Sequence, residues 1–231
     1  MSTVTVWLVE ADSPDLCGAS PGEVARRLGP AERARADRLS PDRRWRFVAF
    51  RAALRSILRK HGAELEDGAD FERTKNGKPV LAGGPEFSFS ASEGLALIAI
   101  SDRGPVGVDI ERIRDVHRPA DWRTRHPALG AMAFGEELGD RSDAFRFLRA
   151  WTRLEAFYKR EGLPLAGALE GSIGGRDGAL ARHLSDPGSV VDLDPPPGYL
   201  AACALSRGAT CDRRITMRTT CDTADPPVIV R

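Results

Sequence analysis

Three carboxylates stand in two short segments of the chain, about forty residues apart, where they could do chemistry. The first segment reads Gly107-Val108-Asp109-Ile110-Glu111, so two carboxylates alternate with apolar residues. Alternate side chains of a strand share a face, which brings Asp109 and Glu111 side by side. Neighbouring carboxylates repel each other unless a cation lies between them, and Mg²⁺ prefers carboxylate oxygen. The same pattern is also typical of a half-exposed strand whose outer face is acidic.

The third carboxylate, Glu155, lies in a predicted helix among large apolar residues. Trp151, Glu155 and Lys159 are spaced by four, so they share one stripe of that helix. A carboxylate in such a setting needs a partner. Lys159, one turn further on, is the ordinary candidate, and the metal ion that Asp109 and Glu111 would hold is the other.

Helical and alternating patterns predict the elements that must position these residues. They are a short helix after the capping box Ser20–Glu23, a helix over 41–61, strands over 87–90 and 95–101 joined by a turn at Glu93-Gly94, a strand over 106–113, a helix over 142–161 ending at Gly162, and a strand over 199–205. This order predicts an α+β fold of two pseudo-symmetric lobes, each a long helix packed on a small, mainly antiparallel sheet. We expect an N-terminal lobe over 1–104, a C-terminal lobe over 105–206 and a loosely ordered tail over 207–231.

The composition is that of a folded protein with balanced charge. The 231 residues include 34 Lys and Arg against 33 Asp and Glu, which argues against a chain that coats nucleic acid. Residues 21–60, however, hold twelve basic and four acidic side chains. This excess is typical of solvated helix faces, or of a docking surface for an acidic partner or a phosphate-bearing ligand. A nucleic-acid-binding lobe is the weaker interpretation, since Trp45, Phe47 and Phe50 fit a buried stripe better than a base-stacking platform.

No apolar run is long enough to span a membrane, and no signal peptide is visible at the N-terminus. The four cysteines form no C-x-x-C pair, so they suggest neither a disulfide framework nor a zinc site. We therefore expect reduced thiols in a cytoplasmic protein that does not bind membranes.

The segments Gly107–Glu111 and Trp151–Lys159, in this order and at this separation, resemble the paired motifs of the 4′-phosphopantetheinyl transferases. The match is best to the large surfactin-type branch, which is built from two pseudo-symmetric lobes. Weaker matches are the basic helix Arg43–Arg59, the turn Gly77-Lys78-Pro79 and the strand Phe87–Ser92. Together the matches extend from Arg43 to Leu205, which is most of the chain.

The resemblance implies an enzyme that moves the 4′-phosphopantetheine arm of coenzyme A onto a serine of an acyl or peptidyl carrier protein, releasing 3′,5′-ADP. It implies Mg²⁺ or Mn²⁺ held by Asp109, Glu111 and Glu155. Glu155 would take the proton from the serine hydroxyl, and Lys159 would lie near the pyrophosphate. Coenzyme A, as co-substrate, would contact Lys78, Ser90, Arg43 and Arg51. The expected enzyme is a cytoplasmic monomer of secondary-metabolite biosynthesis.

Two departures from the family motifs keep a second hypothesis open. Ala91 stands where the family strand has a histidine that contacts phosphate, and Leu154 stands where the family helix has a lysine. The sequence suggests that both changes remove a donor or a positive charge from the site, at about 1.5–3 kcal/mol for each lost hydrogen bond to a charged group. The alternative is a repurposed or inactive homologue that binds a carrier protein or coenzyme A, or acts on a carrier-bound substrate, without phosphopantetheinyl transfer.

Overall fold

A computed structural model describes residues 4–11, 21–116, 129–130, 133, 139–164 and 189–206. Its helices and strands with defined bounds are, in chain order, β1 (Val4–Glu10), α1 (Pro21–Arg26), α2 (Pro30–Ala36), α3 (Pro41–Lys60), β2 (Glu72–Arg73), β3 (Pro79–Val80), β4 (Glu86–Ser92), β5 (Leu95–Ser101), β6 (Gly107–Arg112), α4 (Asp143–Glu161), β7 (Val190–Leu193) and β8 (Tyr199–Ala204). The predicted α+β class with antiparallel sheets is confirmed. None of the described helices combines the length and the apolar composition that a membrane-spanning segment requires.

The first sheet has three antiparallel strands in the order β1-β5-β4, and helix α3 packs on one of its faces. Its central strand, β5, is buried along its whole length. Strands β4 and β5 form the predicted hairpin, whose turn residue Glu93 has a φ of 53°, the left-handed conformation that such turns use. Helix α3 begins at Pro41, as predicted from the Ser-Pro pair, because the fixed φ of proline suits a first helical turn.

The second sheet has the order β6-β8-β7, is also antiparallel, and carries helix α4 on one face. The Ser142 hydroxyl accepts a hydrogen bond from the Phe145 N–H over 3.3 Å, which caps the first turn of α4. Gly162, with a φ of 64°, ends the helix in the left-handed conformation. The predicted helix over 142–161 and the predicted strand over 199–205 are thus confirmed to within a residue.

The sheet faces that carry no helix form one shared core. Leu95 and Leu97 of β5 lie in this core together with Val108 and Ile110 of β6. The intervening residue, Asp109, therefore faces the side of β6 on which α4 packs, as the alternation predicts. Burial of this apolar pattern fixes the register of β6, since a slip of one residue would place the carboxylates in the core.

Five described elements, β1, α2, β7 and the two-residue strands β2 and β3, have no counterpart among the predicted ones. Helix α1 begins at Pro21, where a short helix was predicted, but Ser20 of the capping box lies outside the described residues. The expected loose tail over 207–231 also lies outside them.

Trp7 and His61 form a hydrogen bond that requires a neutral imidazole. The Trp7 Nε1–H donates to His61 Nε2 over 3.2 Å, and burial lowers the pKa of His61. Because the folded pKa is the lower one, stability is fully present above the unfolded pKa of about 6.5 and is lost as the pH falls below it. We expect this loss to be about 1 kcal/mol, the net value of one hydrogen bond.

Urea unfolding between pH 7.5 and pH 5 would measure the effect, with His61→Gln as the control. Glutamine keeps a hydrogen-bond acceptor but does not titrate, so the variant should lack this part of the pH dependence. Identical pH profiles for the two chains would contradict the prediction.

Candidate active site

Close packing of helix α4 on strand β6 positions the residues of the site. A Cβ atom at Gly107 would lie 1.9 Å from the carbonyl oxygen of Ala156 and 2.5 Å from the backbone nitrogen of Arg160. Only glycine fits there, so the first residue of the Gly-Val-Asp-Ile-Glu segment is a packing requirement. The close approach brings the side chains of α4 against Asp109, two residues further along β6.

Asp109 is 1 % exposed and uses its two carboxylate oxygens differently. Oδ1 accepts hydrogen bonds from Ser90 Oγ and from Lys159 Nζ, both over 2.6 Å. Lys159 Nζ also donates to Ser90 Oγ over 2.9 Å, so the three side chains form a closed triangle. Oδ2 is buried and has no hydrogen-bond partner among the described residues. Such an oxygen is costly to bury, which points to a ligand that these residues do not supply.

Glu155 adds a second carboxylate to this group. Its Oε2 lies 3.5 Å from Lys159 Nζ. Burial, followed by the negative charge of Asp109, raises the pKa of Glu155 to about 7, while Lys159 opposes the shift. Burial lowers the pKa of Lys159, but the charges of Asp109 and Glu155 outweigh it, so the net shift is upward. Two carboxylates thus share one ammonium, and a further cation would relieve their repulsion.

Glu111, the third predicted metal ligand, is partly buried on the cavity wall and is bound by other side chains. Its Oε2 accepts a hydrogen bond from Arg114 over 2.8 Å and a longer one from Ser92 over 3.4 Å. Within the described part of the chain, no group of three or more His, Cys, Asp and Glu residues could hold a metal ion. Mg²⁺, however, is usually bound by one or two carboxylates plus substrate phosphates. Asp109 and Glu155 fit that requirement, because their oxygens are hard donors and no described residue hydrogen-bonds Asp109 Oδ2.

A cavity of about 560 Å³ opens beside these carboxylates. Carboxylates of β6 and α4 line one part of it, and arginines of α2 and α3 line another. Seven of the eight predicted site residues line this cavity, namely Arg43, Arg51, Ser90, Asp109, Glu111, Glu155 and Lys159. The fold therefore brings together residues that are more than a hundred positions apart in the sequence.

Arg51, on the wall of this cavity, contacts two aromatic rings and one carboxylate. Its guanidinium carbon lies 4.5 Å from the ring centre of Phe89 and 5.5 Å from that of Phe47. Its Nε lies 3.7 Å from Glu32 and has no hydrogen-bond partner among the described residues. Burial lowers the pKa of Arg51 to about 10, so the side chain remains charged at neutral pH. Glu32 also binds the buried Arg55 over 2.7 Å, so one carboxylate serves two guanidinium groups and positive charge is in excess.

Further lining residues were not singled out by the sequence: Arg35, Arg46, Phe47, Phe89 and Glu93. The two arginines belong to the basic segment, but the pattern carries no signal for which of its basic residues face a ligand. Phe89 could have been suspected, because it alternates with the serines of the motif-like strand β4.

No protein-family model matches the chain. Among curated proteins, it is 29 % identical over 210 residues to the 4′-phosphopantetheinyl transferase HetI of a Nostoc species, which covers 88 % of this chain and 87 % of the relative. It is 29 % identical over 190 residues to a putative 4′-phosphopantetheinyl transferase of a Synechocystis species, covering 80 % of this chain and 75 % of the relative. It is 38 % identical over 94 residues to the 4′-phosphopantetheinyl transferase AcpT of Salmonella typhimurium, covering 38 % of this chain and 47 % of the relative. Over most of its length, the chain is therefore similar to proteins named as 4′-phosphopantetheinyl transferases.

The two departures from the phosphopantetheinyl transferase motifs have different surroundings. Leu154 is 1 % exposed and packs in the apolar core beneath α4. The Leu154 side chain therefore points into the core and not towards the carboxylates, and the loss of a positive charge at this position stays a prediction. Ala91 is exposed and lines the cavity, so at this position the wall lacks the donor that a histidine would provide.

Lys78, the remaining residue implied by the phosphopantetheinyl transferase resemblance, lies outside the cavity. Its Nζ donates to the Val106 carbonyl over 3.4 Å and lies 3.8 Å from a Glu86 oxygen. Burial lowers the pKa of Lys78, and Glu86 opposes the shift. A contact between Lys78 and coenzyme A stays a prediction.

Lys159 neutralises a carboxylate that is otherwise buried, so its removal should destabilise the protein. We expect Lys159→Met to lower the free energy of unfolding by about 2 kcal/mol. This is below the value for a fully buried pair, because the Lys159 side chain is 30 % exposed. Adding Asp109→Asn to the variant should recover most of the loss, since it removes the uncompensated charge. Urea unfolding of the single and double variants would measure both effects, and a double variant less stable than Lys159→Met would contradict the explanation.

Proposed function

We propose that this chain transfers the 4′-phosphopantetheine arm of coenzyme A to a serine of an apo acyl or peptidyl carrier protein and releases 3′,5′-ADP. The observation that carries the proposal is a pair of carboxylates, the buried Asp109 and the partly buried Glu155, beside an arginine-lined cavity, in a chain similar to a named 4′-phosphopantetheinyl transferase over most of its length. The relative HetI, matched over 87 % of its length, is named for 4′-phosphopantetheinyl transfer.

Mg²⁺ or Mn²⁺ is part of the proposal. Asp109 and Glu155 would hold the ion, with Glu111 as the third ligand, and the unpartnered Oδ2 of Asp109 supports this assignment. When bound, the ion would neutralise the charge of the pyrophosphate. Phosphoryl transfer depends on such neutralisation and on positioning more than on covalent help from the protein.

Two residues of α4 are assigned to the chemistry. Lys159 supplies a fixed positive charge next to the pyrophosphate, since its ammonium is held by Asp109 and Ser90. Glu155 is the group that takes the proton from the serine hydroxyl, directly or through a water molecule. Its partial burial and its place on the cavity wall support this role.

Coenzyme A is assigned to the basic part of the cavity. Arg43 and Arg51 would contact its phosphates; the family resemblance also implies contacts to Lys78, which lies outside the cavity, and to Ser90. Arginine suits this task because its fixed fork of donors matches phosphate oxygens. The unpartnered Nε of Arg51 supports the assignment, since a buried donor needs an acceptor.

The carrier protein is assigned to a second cavity of about 370 Å³, which shares Glu111 and Glu155 with the first. Its wall includes the apolar side chains of Trp151 and Val116, which suit an apolar contact with a partner, and Arg114, which pairs with Glu111 over 2.8 Å. An attacking hydroxyl and a leaving group must lie roughly in line through phosphorus. Because the two cavities meet at Glu111 and Glu155, coenzyme A and the carrier protein could reach these carboxylates from different sides.

The finer description of the molecule belongs to the same proposal. We propose two pseudo-symmetric lobes over 1–104 and 105–206 and a loosely ordered tail over 207–231, and the two sheets with one long helix each support the lobes. We further propose a cytoplasmic monomer of secondary-metabolite biosynthesis that binds neither nucleic acid nor membranes. The near-zero net charge of +1 is in line with this.

One observation favours the second hypothesis, a homologue that binds a carrier protein or coenzyme A without transfer. Ala91 lines the cavity and offers no side-chain hydrogen bond to a phosphate. Saturable carrier binding with no covalent transfer in either Mg²⁺ or Mn²⁺ would support this function over the first.

Intact-protein mass spectrometry tests the proposed function directly. We expect apo carrier proteins incubated with this chain, coenzyme A and Mg²⁺ to gain the mass of one phosphopantetheine arm, and EDTA to abolish the gain. Asp109→Asn keeps the side-chain volume but removes a negative ligand, so the rate should fall about a hundredfold or more.

A known transferase acting on the same carriers provides the positive control. Transfer by Asp109→Asn at the wild-type rate would exclude the assigned role of Asp109. No transfer to any carrier that the control enzyme modifies would favour the second hypothesis.

Adjacent arginines allow a matched test of the coenzyme A assignment. Arg43 lines the cavity, whereas Arg44 lies outside it and pairs with Asp37 over 2.7 Å. We expect Arg43→Ala to raise the KM for coenzyme A about tenfold, the value of one charge-assisted hydrogen bond, and Arg44→Ala to leave it unchanged. Steady-state kinetics at low and high salt would measure both, and equal effects of the two variants would refute a specific contact at Arg43.

A further inference from the structure

Three serines of β4 bridge this strand to β6, although the two strands belong to different sheets. Ser88 Oγ accepts a hydrogen bond from the Val108 N–H, and Ser92 Oγ accepts one from the Arg112 N–H, each over 3.0 Å. Ser88 and Ser92 thus bind backbone groups of β6, and Ser92 also donates to the Glu111 carboxylate over 3.4 Å. Ser90, between them, binds the buried side chain of Asp109.

We propose that Ser90 is a positioning residue for the metal-binding carboxylate of Asp109 rather than a contact to coenzyme A. The Ser90 hydroxyl and the Lys159 ammonium occupy Oδ1, so the carboxylate is fixed and Oδ2 is the oxygen that would be left for the ion. Groups that hydrogen-bond a metal ligand orient it and raise its affinity for the ion. This inference rests on the proposed function, because it assumes that Asp109 binds a metal ion.

The hydrogen-bonding capacity of Ser90 supports this role over a phosphate contact. A serine hydroxyl has one proton to donate, and Ser90 donates it to Asp109 over 2.6 Å. Its oxygen accepts from Lys159 over 2.9 Å. Phosphate oxygens only accept hydrogen bonds, so Ser90 could bind a phosphate only by releasing Asp109. The side chain is also 7 % exposed, which leaves little surface for a ligand.

Binding of Mn²⁺ alone, followed by electron paramagnetic resonance without coenzyme A or carrier, tests the inference. We expect Ser90→Ala to weaken Mn²⁺ binding about tenfold or more, as is typical for the loss of such a partner. Ser90→Thr keeps the hydroxyl and should retain most of the affinity. If Ser90→Ala does not fold, Ser90→Cys, which keeps the volume but is a weaker donor, should also bind Mn²⁺ more weakly.

Ser88→Ala is the matched control, since it removes a serine bridge to β6 that does not involve Asp109. We expect it to lower the urea midpoint but to leave Mn²⁺ affinity unchanged, whereas a merely structural role for Ser90 would make the two variants alike. Unchanged Mn²⁺ affinity in Ser90→Ala with a raised KM for coenzyme A would overturn the inference in favour of a nucleotide contact.

Asp109→Asn separates failure of this inference from failure of the proposed metal centre. If wild type and Asp109→Asn bind Mn²⁺ equally, Asp109 is not a metal ligand, and the inference falls with it. If Asp109→Asn binds more weakly but Ser90→Ala binds like wild type, only the inference about Ser90 is wrong.

Discussion

The backbone contact between α4 and β6 at Gly107 is the constraint on which the site depends. With no side chain at this position, the helix approaches until its backbone touches the strand. Any larger residue would push α4 away by more than an ångström, and a hydrogen bond of 2.6 Å between Lys159 and Asp109 would not survive such a shift. Gly107 and Asp109 therefore act together. Gly107 sets the distance between α4 and β6, and this distance allows Asp109 to bind Lys159.

The carboxylates beside this contact cost stability, which indicates that their role is not to stabilise the fold. Asp109 could be replaced by an apolar residue of similar size together with Lys159, and buried ion pairs replaced in this way often leave proteins as stable or more so. A buried Oδ2 without a partner among the described residues adds a further cost. Local conflicts of this kind are expected at functional sites, where binding of a ligand supplies the missing interaction.

The sequence predicts those helices and strands whose apolar residues recur at a regular helical or alternating spacing. It misses those whose buried residues show no such spacing. Helices α3 and α4 and strands β4, β5, β6 and β8 have clear apolar spacing or caps, and each was located within a few residues. In β1, five of seven residues are buried, so there is no alternation to detect. In α2, only Glu32 and Ala36 are buried, which leaves no apolar stripe, and β7 has only four residues. Strand β1, helix α2 and strand β7 are therefore stabilised by packing and pairing with other elements rather than by a local sequence pattern.

Residue types and spacing alone indicate the acidic half of the candidate site, whereas Arg43 and Arg51 of the basic half were implied only by the family resemblance, for a related reason. Asp109 and Glu155 are conspicuous because carboxylates are rare beside so many apolar neighbours, and spacing alone assigns each to a face. Arginines are common in 21–60, and what distinguishes Arg51 is the Phe89 ring of another element and a Glu32 shared with Arg55. Because Glu32 can neutralise only one of the two guanidinium groups, burial of both leaves a fixed positive charge beside the cavity. That charge exists only after α2, α3 and β4 have packed, so no reading of the helix alone could have ranked Arg51 above its neighbours.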